Sequence, residues 1–249
     1  MTGWVGRMAL GMALLLSHAA VAATAEVARA EVAPAEVDVA LVLAVDVSES
    51  IDAARYALQM EGIAAALESP AVQNAIMSGP RQAMLITIVQ WSNRPMVTLP
   101  WTLLASGRDA NGIAQRVRHM TRASNGFTCM AVALRSIADK VLTQLPIPAT
   151  RQVIDVSGDG QDNCNGPEPV DRVRDELVAE GVSVNGLPIL EGDEEETLEA
   201  WYRDHVVGGP EAFLLPAASF DDFAHAFRRK FVTEVSAVLC RGCTRDARR

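Results

Sequence analysis

Three short polar segments contain residue types that bind divalent cations, and the first is Asp46-x-Ser48-x-Ser50. Its alternating positions carry one carboxylate and two hydroxyls, a set of oxygen donors that suits hard cations such as Mg²⁺ or Mn²⁺. The unbroken apolar run 39–45 before it predicts a strand buried on both faces, as in a parallel sheet. The polar cluster therefore follows the carboxyl end of a strand, where open α/β sheets bind ligands.

Two further segments carry oxygen donors where the chain must turn sharply. The threonine loop, Gly126-Phe127-Thr128, opens a predicted helix. The aspartate loop, Ser157-Gly158-Asp159-Gly160, closes the fourth predicted strand. Glycines in both loops allow tight turns and let the backbone come close to an ion. With residues 46–50, called here the D-x-S-x-S loop, they make three polar loops at the ends of predicted elements.

The order and placement of these loops resemble the metal-ion-dependent adhesion site (MIDAS) of the von Willebrand factor A domain. In that family D-x-S-x-S follows the first strand, a Thr lies in a glycine-rich loop, and Asp-Gly follows the fourth strand. The resemblance implies hydroxyl ligands from Ser48, Ser50 and Thr128. It implies carboxylate ligands, direct or through water, from Asp46 and Asp159. The implied ion is Mg²⁺, with Mn²⁺ or Ca²⁺ as alternatives.

Apolar periodicity predicts alternating strands and helices, which indicates a doubly wound, mostly parallel α/β sheet flanked by helices. A turn of about three residues joins the second and third predicted strands, so this pair should be antiparallel with the third strand at the edge. The resemblance implies six strands in the order 3-2-1-4-5-6. Predicted strands are 37–45, 83–91, 95–101, 151–157, 182–187 and 212–215, and predicted helices are 52–68, 109–122, 128–142, 168–180, 191–202 and 220–238.

Composition and the first residues bear on location and partners. The net charge of -9 argues against nucleic acid as a partner, because no basic patch exists to contact phosphates. Arg7, the apolar stretch 8–16 and Ala20-Val-Ala22 predict a secretory signal that is too short to remain as a membrane anchor. We therefore expect a signal peptide at 1–22, a flexible leader at 23–36, the A-type domain at 37–239 and a basic, Cys-containing tail at 240–249. The signal segment and the wording Asp155-Val-Ser-Gly-Asp-Gly resemble an uncharacterised bacterial family of exported A-domain proteins.

The four cysteines are disulfide candidates, because an exported chain matures in an oxidising compartment, periplasmic or extracellular. Cys129 follows Thr128, and Cys164 lies five residues after Asp159. If the two loops meet at one ion, these thiols come close enough to bridge, and Cys240 and Cys243 then pair locally. Four cysteines allow three connectivities, so the pairing remains a hypothesis from proximity.

Other polar residues have simpler interpretations. Asp155 lies within an apolar predicted strand, and we expect a structural role in which it accepts hydrogen bonds from loop amides or hydroxyls near the site. Asp162 and Asn163 are interpreted as turn residues rather than as residues around the ion. The acidic run 191–199 is interpreted as a solvated helix start rather than a second cation site.

The predicted ligand set favours binding over turnover. Two carboxylates and three hydroxyls leave a coordination position open, which an Asp or Glu of an unknown partner protein completes. We therefore expect a divalent-metal-dependent interaction module and not an enzyme. One alternative is a metal-dependent hydrolase of an anionic small molecule, although none of the four histidines lies in the three loops to act as a base. The other is an envelope assembly scaffold with a structural ion.

Overall fold

A computed structural model describes the backbone of residues 34–192 and 194–243, with side chains to residue 236. The predicted signal peptide, all but the last three residues of the leader, and the side chains of Cys240 and Cys243 lie outside this description. The proposed domain boundaries therefore stay predictions. No helix within the described ranges is long and apolar enough to cross a membrane.

The domain is built on one mixed sheet with the strand order β3-β2-β1-β4-β5. Strand β1 lies at the centre, parallel to β2 and β4 on its two sides, and every residue of β1 is buried. Strand β5 is parallel to β4, whereas β3 is antiparallel to β2 at the edge, as predicted. The strands are β1 Val37–Asp46, β2 Met84–Trp91, β3 Met96–Leu104, β4 Ala149–Gly158 and β5 Ser183–Pro188.

Helices cover both faces of the sheet. Apolar residues of α1, α2, α3 and α7 form the core on one face, and those of α4, α5 and α6 form the core on the other. Helix α2 was not predicted; it begins at Pro70, because proline is tolerated in the first turn of a helix. The helices are α1 Ala53–Glu68, α2 Pro70–Met77, α3 Gly107–Arg118, α4 Met130–Ser136, α5 Val170–Ala179, α6 Glu195–Trp201 and α7 Phe223–Cys243.

The predicted sixth strand is wrong, since the described sheet has five strands. The segment predicted at 212–215 runs beside β5 but makes only one isolated bridge there, Gly186 with Leu214, and a second bridge, Ile189 with Ala217, lies just beyond both. A continuous ladder fails because Pro188, between the two bridges, has no N–H to donate. At the other end the Phe213 N–H donates to the Asn185 side chain, at 3.0 Å, instead of to a strand carbonyl.

A buried charge network joins α7 to β4 and β5. Lys230 and Glu234 of α7 are fully buried, and Asp155 of β4 is 3% exposed. The Lys230 Nζ lies 2.6 Å from Asp155 Oδ1 and 2.5 Å from Glu234 Oε1. Asn185 of β5 donates to the same Glu234 oxygen at 2.8 Å. The expectation that loop groups would satisfy Asp155 is wrong, because its partner is a lysine that is 75 residues away in sequence.

This network makes the stability of the domain depend on pH. Burial, and then the charge of Glu234, raise the pKa of Asp155 to about 7, although Lys230 opposes the shift. The pKa in the unfolded chain is about 3.9, so the folded state holds an extra proton between these values. The stability from this proton is fully present below about pH 4 and is lost as the pH rises through about 7.

We therefore expect the unfolding free energy of the wild type to fall relative to that of Asp155→Asn as the pH rises from about 5 to 8. The amide has no proton to lose, so the variant isolates this one group from the other carboxyls. Urea unfolding of both proteins at several pH values measures the difference. A difference in unfolding free energy between the two proteins that stays constant over this pH range would contradict the raised pKa of Asp155.

Candidate metal centre

The D-x-S-x-S loop leaves the carboxyl end of β1 and reaches directly to the aspartate loop after β4. The backbone N–H of Ser48 donates to Asp46 Oδ1 at 2.7 Å, which closes a tight turn. The Ser48 and Ser50 hydroxyl oxygens lie 3.3 Å apart. The Ser50 hydroxyl donates to Asp159 Oδ1 at 2.6 Å. Two of the three loops are therefore in side-chain contact.

The threonine loop is bound to the segment that follows Asp159. The Thr128 N–H donates to Asn163 Oδ1 at 2.8 Å, and the Asn163 N–H donates to the Thr128 carbonyl at 2.9 Å. Cys129 and Cys164 form a disulfide with their Cα atoms 5.0 Å apart, as predicted. Asp162 accepts from the Ala131 N–H at 3.0 Å. Asp162 and Asn163 thus join two loops, a role that their interpretation as turn residues missed.

Three of the predicted ligands, Ser50, Thr128 and Asp159, line a cleft of about 400 Å³. The other two do not line it: Asp46 is fully buried and Ser48 is 1% exposed. The structure therefore brings all five residues to the same edge of the sheet. Their role as metal ligands stays a prediction.

Arg55 of α1 forms one wall of the cleft, although no motif in the sequence indicated it. Its Nη1 donates to the Ser50 carbonyl at 2.9 Å and lies 3.7 Å from Asp159 Oδ2. Its Nη2 lies 3.1 Å from the carboxylate of Glu191, which begins the acidic run. Glu194 accepts from the Gln161 N–H at 2.6 Å. The acidic run was interpreted as a solvated helix start. In the structure its residues Glu191 and Glu194 also line the cleft.

Two further side chains donate hydrogen bonds to backbone carbonyls of the D-x-S-x-S loop. Arg122 donates to the carbonyls of Val47, at 2.9 Å, and Ser48, at 2.6 Å. Gln59 of α1 donates to the Asp46 carbonyl at 3.2 Å. These contacts join distant parts of the chain, so periodicity and local motifs do not reveal them.

Both site carboxyls are in an environment that disfavours their charge. Burial, and then the nearby charge of Asp159, raise the pKa of Asp46 to about 7. Burial also raises the pKa of Asp159, against hydrogen bonding by Ser50 and the charge of Arg55. A divalent cation between two such carboxylates would relieve both the repulsion and the lost solvation.

The residues present suit a hard divalent ion. Asp46 Oδ2 is buried without a hydrogen-bond partner, and a buried carboxylate oxygen in this state needs a cation or a donor. All five predicted donors are oxygens, which Mg²⁺ and Mn²⁺ prefer. Among the side chains that the structure describes, in residues 34–192 and 194–236, no cluster of three or more His, Cys, Asp or Glu is placed to hold a metal. An ion at this edge would therefore depend on the serine and threonine hydroxyls.

Solved structures share this architecture at low sequence identity. Proximal thread matrix protein 1 from the mussel byssus has a TM-score of 0.59 at 17% identity, over 83% of this chain and 49% of that one. A second structure of it, with a zinc-occupied MIDAS motif, has a TM-score of 0.59 at 17% identity, over 82% and 48%. The von Willebrand factor type A protein from Catenulispora acidiphila has a TM-score of 0.57 at 16% identity, over 80% and 43%.

The pilus adhesin SpaC from Lactobacillus rhamnosus GG has a TM-score of 0.58 at 14% identity, over 80% of this chain and 31% of that one. This chain thus spans less than half the length of each of these structures. The likeness shows that the fold is that of the von Willebrand factor A domain. Curated proteins give no match. Residues 36–239 match the model of the family described as "Protein of unknown function (DUF1194)", and the chain therefore belongs to that family.

Proposed function

We propose that the protein is an exported binding module whose bound divalent cation captures a carboxylate of a partner protein. The observation that carries this proposal is that all five oxygen donors lie at one edge of the sheet, where Ser50, Thr128 and Asp159 line a cleft and Asp46 and Ser48 are buried. The buried carboxyl of Asp46 and the neighbouring carboxyl of Asp159 are costly to ionise together, unless a cation compensates their charge. The predicted signal segment and the Cys129–Cys164 disulfide support export.

Five residues of the chain would bind such an ion. The hydroxyls of Ser48, Ser50 and Thr128 would contribute neutral donors, and Asp46 and Asp159 would contribute charge, directly or through water. Mg²⁺ suits this set because it keeps several waters and is bound by few protein carboxylates. When bound, the ion supplies an electron-poor position on the cleft side that an incoming carboxylate can occupy.

The surroundings of the cleft favour a protein partner over a reaction. Phe127, next to Thr128, has 65% of its surface exposed and offers an apolar contact beside the proposed metal site. Glu191 and Glu194 are engaged by Arg55 and by the Gln161 amide, so neither is placed as an unencumbered base. Among the solved structures with this fold, one has a zinc-occupied MIDAS motif and another is a pilus adhesin. These properties belong to those proteins and support the proposal by analogy of fold alone.

Asp159→Ala is expected to weaken Mg²⁺ and Mn²⁺ binding by at least about 100-fold, since even outer-shell partners of a metal contribute 10- to 100-fold. Isothermal titration calorimetry of metal into the chelator-treated protein measures this change. Glu49→Ala is the matched control, because Glu49 is an exposed carboxylate in the same loop. Equal metal affinity for the wild type and Asp159→Ala would contradict the proposed site.

The binding function has its own test. Immobilised wild-type protein should retain a partner from cell-envelope or culture fractions, and both chelator and Asp159→Ala should abolish retention while Glu49→Ala preserves it. A partner that remains bound to folded Asp159→Ala in chelator would show that the ion has only a structural role. Turnover of an anionic small molecule that requires Asp46 would instead favour the hydrolase.

A further inference from the structure

Tyr202 is a polar side chain that is buried beside Asp46 and Gly158. It follows α6 in the wide helical turn Tyr202–Val206 and is fully buried. Its hydroxyl has no hydrogen-bond partner. Buried hydroxyls in folded proteins are nearly always hydrogen-bonded, so this one requires an explanation.

The Tyr202 hydroxyl and the unpartnered oxygen of Asp46 face the same small space. A Cβ placed on Gly158 would lie 2.9 Å from the Tyr202 hydroxyl and 2.8 Å from Asp46 Oδ2. Both oxygens thus lie within 2.9 Å of one point. Glycine at 158 leaves this space free, because any larger residue would place a methyl or methylene group against both oxygens.

The two groups are chemically complementary. Asp46 Oδ1 already accepts a hydrogen bond from the Ser48 N–H, so Oδ2 is the oxygen of this carboxyl that has no donor. A tyrosine phenol carries its proton at neutral pH and can donate it to a carboxylate oxygen.

We propose that Tyr202 is a positioning residue for the metal site, whose hydroxyl donates to Asp46 Oδ2, directly or through one water, and orients that carboxylate for the ion. This inference rests on the proposed function. It assigns to the segment after α6 a role in a site whose predicted ligands all lie in the three loops. Partners of this kind fix the orientation and basicity of a metal ligand, and their loss costs 10- to 100-fold in metal affinity.

Tyr202→Phe tests the inference, because it removes the hydroxyl and keeps the ring that packs edge-on against Trp201. The affinity for Mn²⁺ of the chelator-treated protein should fall about 10- to 100-fold, while the urea midpoint without metal changes little. The matched control is Tyr56→Phe, the other tyrosine of the chain. The Tyr56 hydroxyl donates to the Met120 carbonyl and accepts from Gln90. This control should lower the urea midpoint and leave the Mn²⁺ affinity within about twofold.

The outcomes separate this inference from the proposed function. Wild-type Mn²⁺ affinity in Tyr202→Phe, with binding abolished by Asp159→Ala, would overturn the positioning role alone. Equal losses of affinity in the two tyrosine variants would overturn it as well, since a general structural effect would then explain both. A wild type that binds no Mn²⁺ would overturn both proposals.

A crystal structure with Mn²⁺ provides a readout that is independent of affinity. It should show the Tyr202 hydroxyl hydrogen-bonded to Asp46 Oδ2, or to one water that is itself bonded to Asp46 Oδ2. A Tyr202 hydroxyl that bonds to another group overturns the inference.

Discussion

Lys230→Met is expected to destabilise the domain by about 3 to 5 kcal/mol, the usual cost of removing one partner from a buried ion pair. Lys230 is the cation between two buried carboxyls, Asp155 and Glu234. Its loss removes the ammonium group that lies within 2.6 Å of both acids, in a region that excludes water. Methionine keeps most of the aliphatic volume, so the expected effect comes from charge and not from a cavity. Urea unfolding at neutral pH measures it.

Two further variants control for this interpretation. Lys140→Met changes the other lysine of the chain, which is exposed, and should alter stability by less than about 0.5 kcal/mol. Adding Glu234→Leu to Lys230→Met should recover much of the loss, because replacing a whole buried ion pair by apolar residues is often neutral. A Lys230→Met protein as stable as the wild type would show that the buried cation has little energetic importance.

Removing the Cys129–Cys164 disulfide by double substitution to Ser is expected to cost about 3 to 4 kcal/mol, the chain-entropy value for a loop of about 35 residues. The bond joins residues 35 apart in sequence. It also connects the threonine loop to the segment after Asp159, so the metal affinity should fall together with stability. The unfolding free energy with and without reductant, and calorimetric titration of metal, measure the two effects.

The predicted Cys240–Cys243 pair provides the comparison. It would enclose a loop of only a few residues, so its removal should cost much less than removal of Cys129–Cys164. Equal unfolding free energies for the wild type, in oxidising buffer, and the Cys129 and Cys164 double variant would contradict the expected stabilisation. A weakened metal site in a variant of unchanged stability would separate loop positioning from chain entropy.

Much of the fold was predictable because its signals are local. The apolar run before Asp46 predicted the central buried strand, and the short turn after Trp91 predicted the antiparallel edge strand. Two of the three loops follow strand ends, and the carboxyl ends of neighbouring parallel strands lie at one edge of a sheet. The resemblance to the von Willebrand factor A domain implied that the threonine loop, at a helix start, joins them. Proximity of the loops then predicted the Cys129–Cys164 bridge.

The wrong or incomplete predictions share one cause: each was made from a local sequence pattern, whereas a residue far away in the chain determines the actual hydrogen bond or ion pair. The segment at 212–215 has a strand-like composition, but Pro188 on the neighbouring strand cannot complete the ladder. Asn163 has the character of a turn residue, yet its side chain holds the backbone of Thr128. Asp155 was expected to bond to nearby loops, and its partner is Lys230 on the last helix.

The sequence by itself determined the parallel architecture and which oxygen donors arrive at its carboxyl edge, because apolar periodicity and glycine placement act over a few residues. Only the tertiary structure decided what surrounds those donors: Arg55 at the cleft, Arg122 beneath the D-x-S-x-S loop, and Tyr202 facing Asp46 across Gly158. These contacts depend on how helices pack on the sheet. Packing depends on the shapes and charges of residues far apart in the chain, and no short stretch of sequence records it.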